Sequence, residues 1–171
     1  MQGTQRGEGV VGRIEFETVA AGVMAGLVMG LFEAIASVIS GQSPLLPLRG
    51  AASIVLQQDA YGHNAPMIAL VGGGVHFSIA VMYSFAFGVF NSQLPWFTRV
   101  AALRQAALGV VFGTLIWLLD FQVIGRIFYP WLLGQSQIVQ WLLHAFTFGL
   151  PLGLLFSERE PPLRHGEKPE R

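Results

Sequence analysis

The sequence predicts an all-α fold: an integral membrane bundle of four transmembrane helices. Three observations carry that expectation. Of the 171 residues, 53% are hydrophobic and only 12% are charged, about half the charge of an average soluble domain. The apolar residues gather into blocks of about 20, the length that crosses a ~30 Å hydrocarbon core at ~1.5 Å rise per residue. Segments rich in Gly, Pro, Asn and Ser separate the blocks and read as connections.

The first block, 19–39, is the stretch around which the rest is organised. It carries Glu33, and Gly22, Gly26 and Gly30 recur every four residues along one face, where small residues let a second helix approach closely. Residues 1–16 are polar and Gly-rich and read as a loose cytoplasmic tail or a short interfacial piece. Glu8, Glu15 and Glu17 offset Arg6 and Arg13 there. A cleavable signal needs a basic flank and a shorter apolar core, so this block is expected to be retained as the first span.

Gly41-Gln42-Ser43-Pro44 ends the first span, and Pro47 is expected to keep a helix from re-forming at once. The outer connection, 41–66, is the longest. Within it 49–61 reads as a short interfacial helix with Ile54, Val55 and Leu56 half-buried. The second span, 67–90, has Gly72-Gly73-Gly74 before His76 and a small-residue face of Ala80, Ser84 and Gly88. Its aromatic run, Tyr83 to Phe87, reads as packing. Asn91 to Pro95 ends it, with Trp96 and Phe97 as interfacial anchors.

The third span, 102–124, starts with Arg104, carries Gly109 and Gly113 on one face, and has Asp120 near its end. A short aromatic connection follows, containing Arg126 and Tyr129-Pro130-Trp131. The fourth span, 138–156, carries His144, Gly149 and Gly153, and Pro151 is expected to loosen its last turns. The transmembrane domain is thus 17–156. Residues 157–171 are charged and Pro-rich and are expected to form a disordered cytoplasmic tail.

Basic residues set the orientation. Arg6, Arg13, Arg99, Arg104, Arg159, Arg164, Lys168 and Arg171 fall on the side of the termini, against Arg49 and Arg126 on the other. Positive charge favours the cytoplasmic face, so both termini are expected there. Spans one and three also share a spacing: Gly22 and Gly26 precede Glu33 by the intervals at which Gly109 and Gly113 precede Asp120. That echo points to two repeated helical hairpins.

Several function classes are excluded. With no cysteine there is no disulfide, thiolate metal site or cysteine nucleophile. Zero net charge leaves no basic surface for nucleic acid. No phosphate loop or strained serine elbow appears. What remains is an intramembrane polar cluster: Glu33, His76, Asp120 and His144. Counting inward from the outer ends puts Asp120 about 7 Å deep, Glu33 about 10 Å, and both histidines about 12–13 Å.

Ionisable groups at membrane depth are expensive and are functional candidates. Four readings compete. The groups can satisfy one another across helix contacts, Glu33 with a histidine or Arg126, Asp120 with Tyr129, Gln122 or water. His76 and His144 can ligate haem b, with Gly72-Gly73-Gly74 leaving room for the porphyrin and Arg49 and Arg126 placed for its propionates. All four side chains can hold zinc or non-haem iron. Glu33 can be the titrating group of a proton- or ion-coupled path.

Three stretches, HFSIAVMYSFAFG from His76, DFQVIGRIFYPW from Asp120 and LLHAFTFGL around His144, resemble small bacterial inner-membrane proteins of the YagU type. The resemblance covers about two-thirds of the chain and implies a bacterial inner-membrane location. It supplies no activity. The expected role is a non-enzymatic accessory or assembly subunit of a larger membrane complex, or a homo-oligomer in the bilayer. The rivals are a haem b electron carrier using His76 and His144, and a small ion-coupled transporter using Glu33.

Overall fold

The computed structural model describes residues 3–99 and 101–157. Helix is the only regular structure among them. Four helical stretches are long and apolar enough to cross a membrane: Phe16–Ile39, Ala65–Ser92, Ala102–Phe128 and Gln137–Leu155. Large apolar side chains point away from the bundle on every span; Leu31, Leu70, Leu103 and Ile138 are among the most exposed. Such surface is costly in water and at home in lipid. The chain is a multi-pass membrane protein.

Helix α1, Gly3–Ile39, is continuous over 37 residues. The part of 1–16 that falls within the described residues is therefore helix rather than loose tail. Nucleation is the costly step of helix formation, and the apolar span has already met that cost for the residues preceding it. The C-terminal stretch expected to be disordered lies, from 158 on, outside the described residues. At the other end of α1, Gln42 N–H bonds the Ser37 carbonyl at 2.8 Å and Gly41 N–H bonds that of Val38 at 3.0 Å. This paired closure needs a left-handed residue, and Gly41 supplies it at φ 72°.

Helix α2, Leu46–Leu56, forms sooner than expected because Pro47 stands in its first turn, where a missing N–H leaves no bond unmade. It is not a helix lying free at the interface. Its Leu48 carbonyl rests on Gly72 so closely that a Cβ there would overlap it. Ala52, Ala60 and Ile68 form a small core between α2, the 3-10 turn Gln57–Tyr61 and helix α3, Ala65–Ser92. Ile54 and Leu56 are half-buried, but Val55 is exposed. Arg49 Nη1 donates to the carbonyls of Ala60, Tyr61 and His63 at 3.0, 3.2 and 2.9 Å, which ties the connection to α2. Asn64 caps α3 by accepting from Met67 N–H at 3.0 Å.

A short turn, α4 (Trp96–Arg99), leads into the third span. Arg104 lies over the Phe97 ring, 5.7 Å from its centre. The third span is α5 (Ala102–Trp117), a π-helical segment Leu118–Ile124, and α6 (Gly125–Phe128). After a 3-10 turn, Pro130–Gly134, the fourth span runs through α7 (Gln137–Leu142), a second π segment Leu143–Gly149, and α8 (Leu150–Leu155).

The bundle pairs α1 with α3 and the third span with the fourth, and joins the pairs through α1 against the fourth span. Its core at the end carrying the chain termini is aromatic. Phe87 is fully buried there, its ring edge-to-face with Phe112 and Phe156, beside Phe148 and Leu152. Near the same end, buried Gln105 donates to the Asn91 side-chain oxygen at 2.7 Å. Thr18 and Phe156 both flank Gly88, so the first and last spans have their terminal ends on one side.

Candidate functional site

His76 is placed by the glycine repeat of α1. Its Nε2 lies 2.9 Å from the Gly26 carbonyl, and Gly30 leaves the space that the imidazole fills. The Phe77 ring stands edge-on to it. A carbonyl oxygen only accepts, so Nε2 carries the proton and Nδ1 keeps its lone pair. His144 has the opposite arrangement. Its Nδ1 donates to the Gln140 carbonyl at 2.7 Å, leaving Nε2 as the bare nitrogen of a ring that is only 7% exposed. The Phe121 ring packs edge-on against it.

Asp120 and His144 each lie in a π-helical segment. Such segments are rare, and they shift the side chains that follow relative to an α-helix. Asp120 accepts a hydrogen bond from the Tyr83 hydroxyl at 2.5 Å. The expected partners, Tyr129 and Gln122, are not the ones used. Gln122 accepts instead from Arg126, at 2.7 and 3.1 Å, and donates to Gln137 at 3.1 Å. Glu33 is half-buried, three residues beyond Gly30. It has no hydrogen-bond or ion-pair partner among the described residues, so neither a histidine nor Arg126 pairs with it.

These side chains from all four spans line one cavity of about 320 Å³, within the usual range for a small-ligand site. Most of its wall is apolar: Met29, Ile79 and Ile116 are among its members. Pro47, Gly50, Ala51 and Ile54 of α2 cover it on the side of the long connection. Gln135 and Gln140 join the wall, with Gln140 donating to the Gln135 side-chain oxygen at 2.5 Å. Phe148 and Ile116, which belong to the buried core, border it toward the terminal end.

Tyr83 and Gln140 are wall residues that the sequence did not single out for the site. The signal for Tyr83 was its position seven residues after His76, two turns along the same face. Gln140 precedes His144 by four, the spacing of a helical neighbour.

The remaining glycines pack helices. Gly22 meets Val81 and Ser84, and Gly26 meets Ala80. Gly109 lies against the Gly149 carbonyl, Gly113 against that of His144, and Gly153 against that of Gln105, each too close to admit a Cβ. Of the glycine triplet, Gly72 is filled by Leu48, while Gly73 and Gly74 face open space.

The bis-histidine haem arrangement does not fit these residues. His76 offers a metal only Nδ1, the nitrogen nearer its own main chain, while Nε2 is held by Gly26. Arg49 is committed to three carbonyls and Arg126 to Gln122. Among the described residues no three His, Asp or Glu side chains lie close enough to share a metal ion. Comparison with protein-family models, with curated proteins and with solved structures finds no match to this chain.

Proposed function

We propose that this protein acts in the membrane by binding, as a non-enzymatic accessory protein that holds a small molecule inside its helical bundle. The observation that carries the reading is the convergence of Glu33, His76, Asp120 and His144 on one cavity. Three of the four already have a hydrogen-bond partner in the protein, and each partner fixes an orientation rather than activating a nucleophile. The arrangement holds and orients. The aromatic core beyond Phe148 argues against a conducting path, since an ion-coupled route needs polar groups through both halves of the membrane.

In this reading the protein resides in a bacterial inner membrane with both termini cytoplasmic, supported by the bias of eight basic residues against two. Its outward apolar faces contact lipid, further copies of the chain or larger subunits of a membrane complex.

Native mass spectrometry of the protein released from membranes tests the binding role. A small-molecule adduct is expected on the wild type and absent from Ala51→Trp, which fills the cavity from α2. A wild type that carries no adduct, and whose melting temperature no member of a panel of small amphiphiles raises, sinks the reading.

A further inference from the structure

The chemistry of the cavity wall identifies the class of molecule it takes, given the binding role proposed above. We infer that the cavity is a site for a lipophilic ammonium ion, its charged nitrogen held by Glu33 and its apolar body by the ring-lined interior.

Glu33 and Asp120 bring two carboxyl groups to the wall, and among the described residues no lysine or arginine lines it. The nearest candidates to balance that charge are spent elsewhere: Arg49 on the carbonyls of the outer connection, Arg126 on Gln122. The imidazoles add acceptors, not donors. Each has turned its N–H to a main-chain carbonyl, so His76 Nδ1 and His144 Nε2 keep lone pairs. The Tyr83 hydroxyl likewise donates its hydrogen bond to Asp120. The wall is rich in acceptors, and its donors are already engaged apart from the amide groups of Gln135 and Gln140.

A carboxyl among membrane-spanning helices without a partner is costly. Glu33 is that group: among the described residues it has no partner, while His76, Asp120 and His144 have theirs. An ammonium group supplies both the compensating charge and several N–H donors. An anion would meet two carboxyls with nothing to balance them. A neutral donor would satisfy the hydrogen bonding but not the charge.

Aromatic rings of Tyr83, Phe121, Tyr129 and Phe148 border the same space, and ring faces attract a desolvated cation. About 320 Å³ is the small end of the range for ligand cavities, so the molecule is a compact amine.

The test uses three probes with one apolar body: adamantylamine, adamantanol and adamantane carboxylate. Each is titrated calorimetrically into the full-length protein in lipid nanodiscs, with empty nanodiscs subtracted. The amine is expected to bind saturably and about tenfold or more tighter than the alcohol, the gain of one charge-assisted contact. The carboxylate is expected not to compete with the amine. Glu33→Gln should bring the amine down to the level of the alcohol, with an unchanged elution profile and melting temperature showing that the variant is folded. Glu33→Asp should keep the preference.

Equal binding of amine and alcohol overturns the ammonium assignment and leaves the binding role standing. So does a preference for the amine that survives Glu33→Gln. If none of the three probes binds the wild type, the assignment falls. The panel of amphiphiles then decides the binding role by itself.

Discussion

In the first hairpin, α1 and α3 meet through a mixture of side chain and backbone: Gly22 lies against the Ser84 Cβ and the Val81 and Ala80 main chain, Gly26 against the Ala80 Cβ and the Phe77 ring, and the Ser84 hydroxyl donates to the Thr18 carbonyl at 2.7 Å. In the second, the third and fourth spans meet backbone on backbone, with Gly109 on Gly149 and Gly153 on Gln105. The first hairpin is α-helical throughout its spans, whereas each span of the second contains a π segment. Both bring one carboxylate and one histidine to the same cavity. The Gly-to-carboxylate spacing is shared, but the means of bringing the helices together is not. Backbone contact leaves no side chain to adjust, so the second hairpin should be the stiffer and the less forgiving.

The sharpest test of that difference is Gly109→Ala. Its Cβ would fall on the Gly149 carbonyl and on Gly153 N, which only a main-chain movement can relieve. A loss of about 3 kcal/mol is expected, seen as a broadened or aggregated elution profile and a lowered melting temperature. Gly26→Ala should cost less, about 1–2 kcal/mol, because its Cβ would press at 2.9 Å on the Ala80 Cβ and meet the Phe77 ring at 3.4 Å, both side chains. The double change Gly26→Ala with Ala80→Gly should recover most of the loss. Failure of that rescue would show that the first hairpin is as rigid as the second.

Tyr83→Phe removes the donor to Asp120 without changing shape. It is expected to cost about 1–2 kcal/mol, the penalty for an acceptor left unpaired, measured by denaturation in mixed micelles. The link joins the two hairpins, so Asp120→Asn in the same background should add little.

The smallest effect is expected within the glycine triplet. Gly73→Ala meets nothing within 4 Å and should stabilise α3 by about 0.5–1 kcal/mol. Gly72→Ala, pressed against the Leu48 carbonyl, should displace α2 and release the cover of the cavity. Protease accessibility of 57–64 reports that release. Equal behaviour of the two neighbours would refute the seat of α2 on Gly72.

The spans were legible because length and apolar content are summed properties of a stretch, and neither depends on which neighbour a residue meets. The neighbourhood of the ionisable groups along the bundle was legible for the same reason: rise per residue places Glu33, His76, Asp120 and His144 within about 6 Å of one another along the axis, and all four line one cavity. Azimuth was not. Counting along a helix does not reveal that Tyr83 turns to Asp120, or that both histidines spend their N–H groups on carbonyls of Gly26 and Gln140. The π segments had no signature either, since Leu118–Ile124 and Leu143–Gly149 read as ordinary apolar helix. Pro47 misled for a different reason. A proline stops a helix that reaches it from the N-terminal side but starts one that begins there, and the choice rests with the residues α2 packs against.

The amino-acid sequence alone determined that this chain is helical, that it crosses the membrane four times, and that four ionisable groups lie among its apolar spans. Those follow from composition, periodicity and rise, which are local. Only the tertiary structure decided that the four groups share one cavity, that α2 covers it, and that Glu33 has no partner among the described residues. These follow from how helices rotate about their axes to bring glycines into contact, and that rotation is set by the neighbours of each helix.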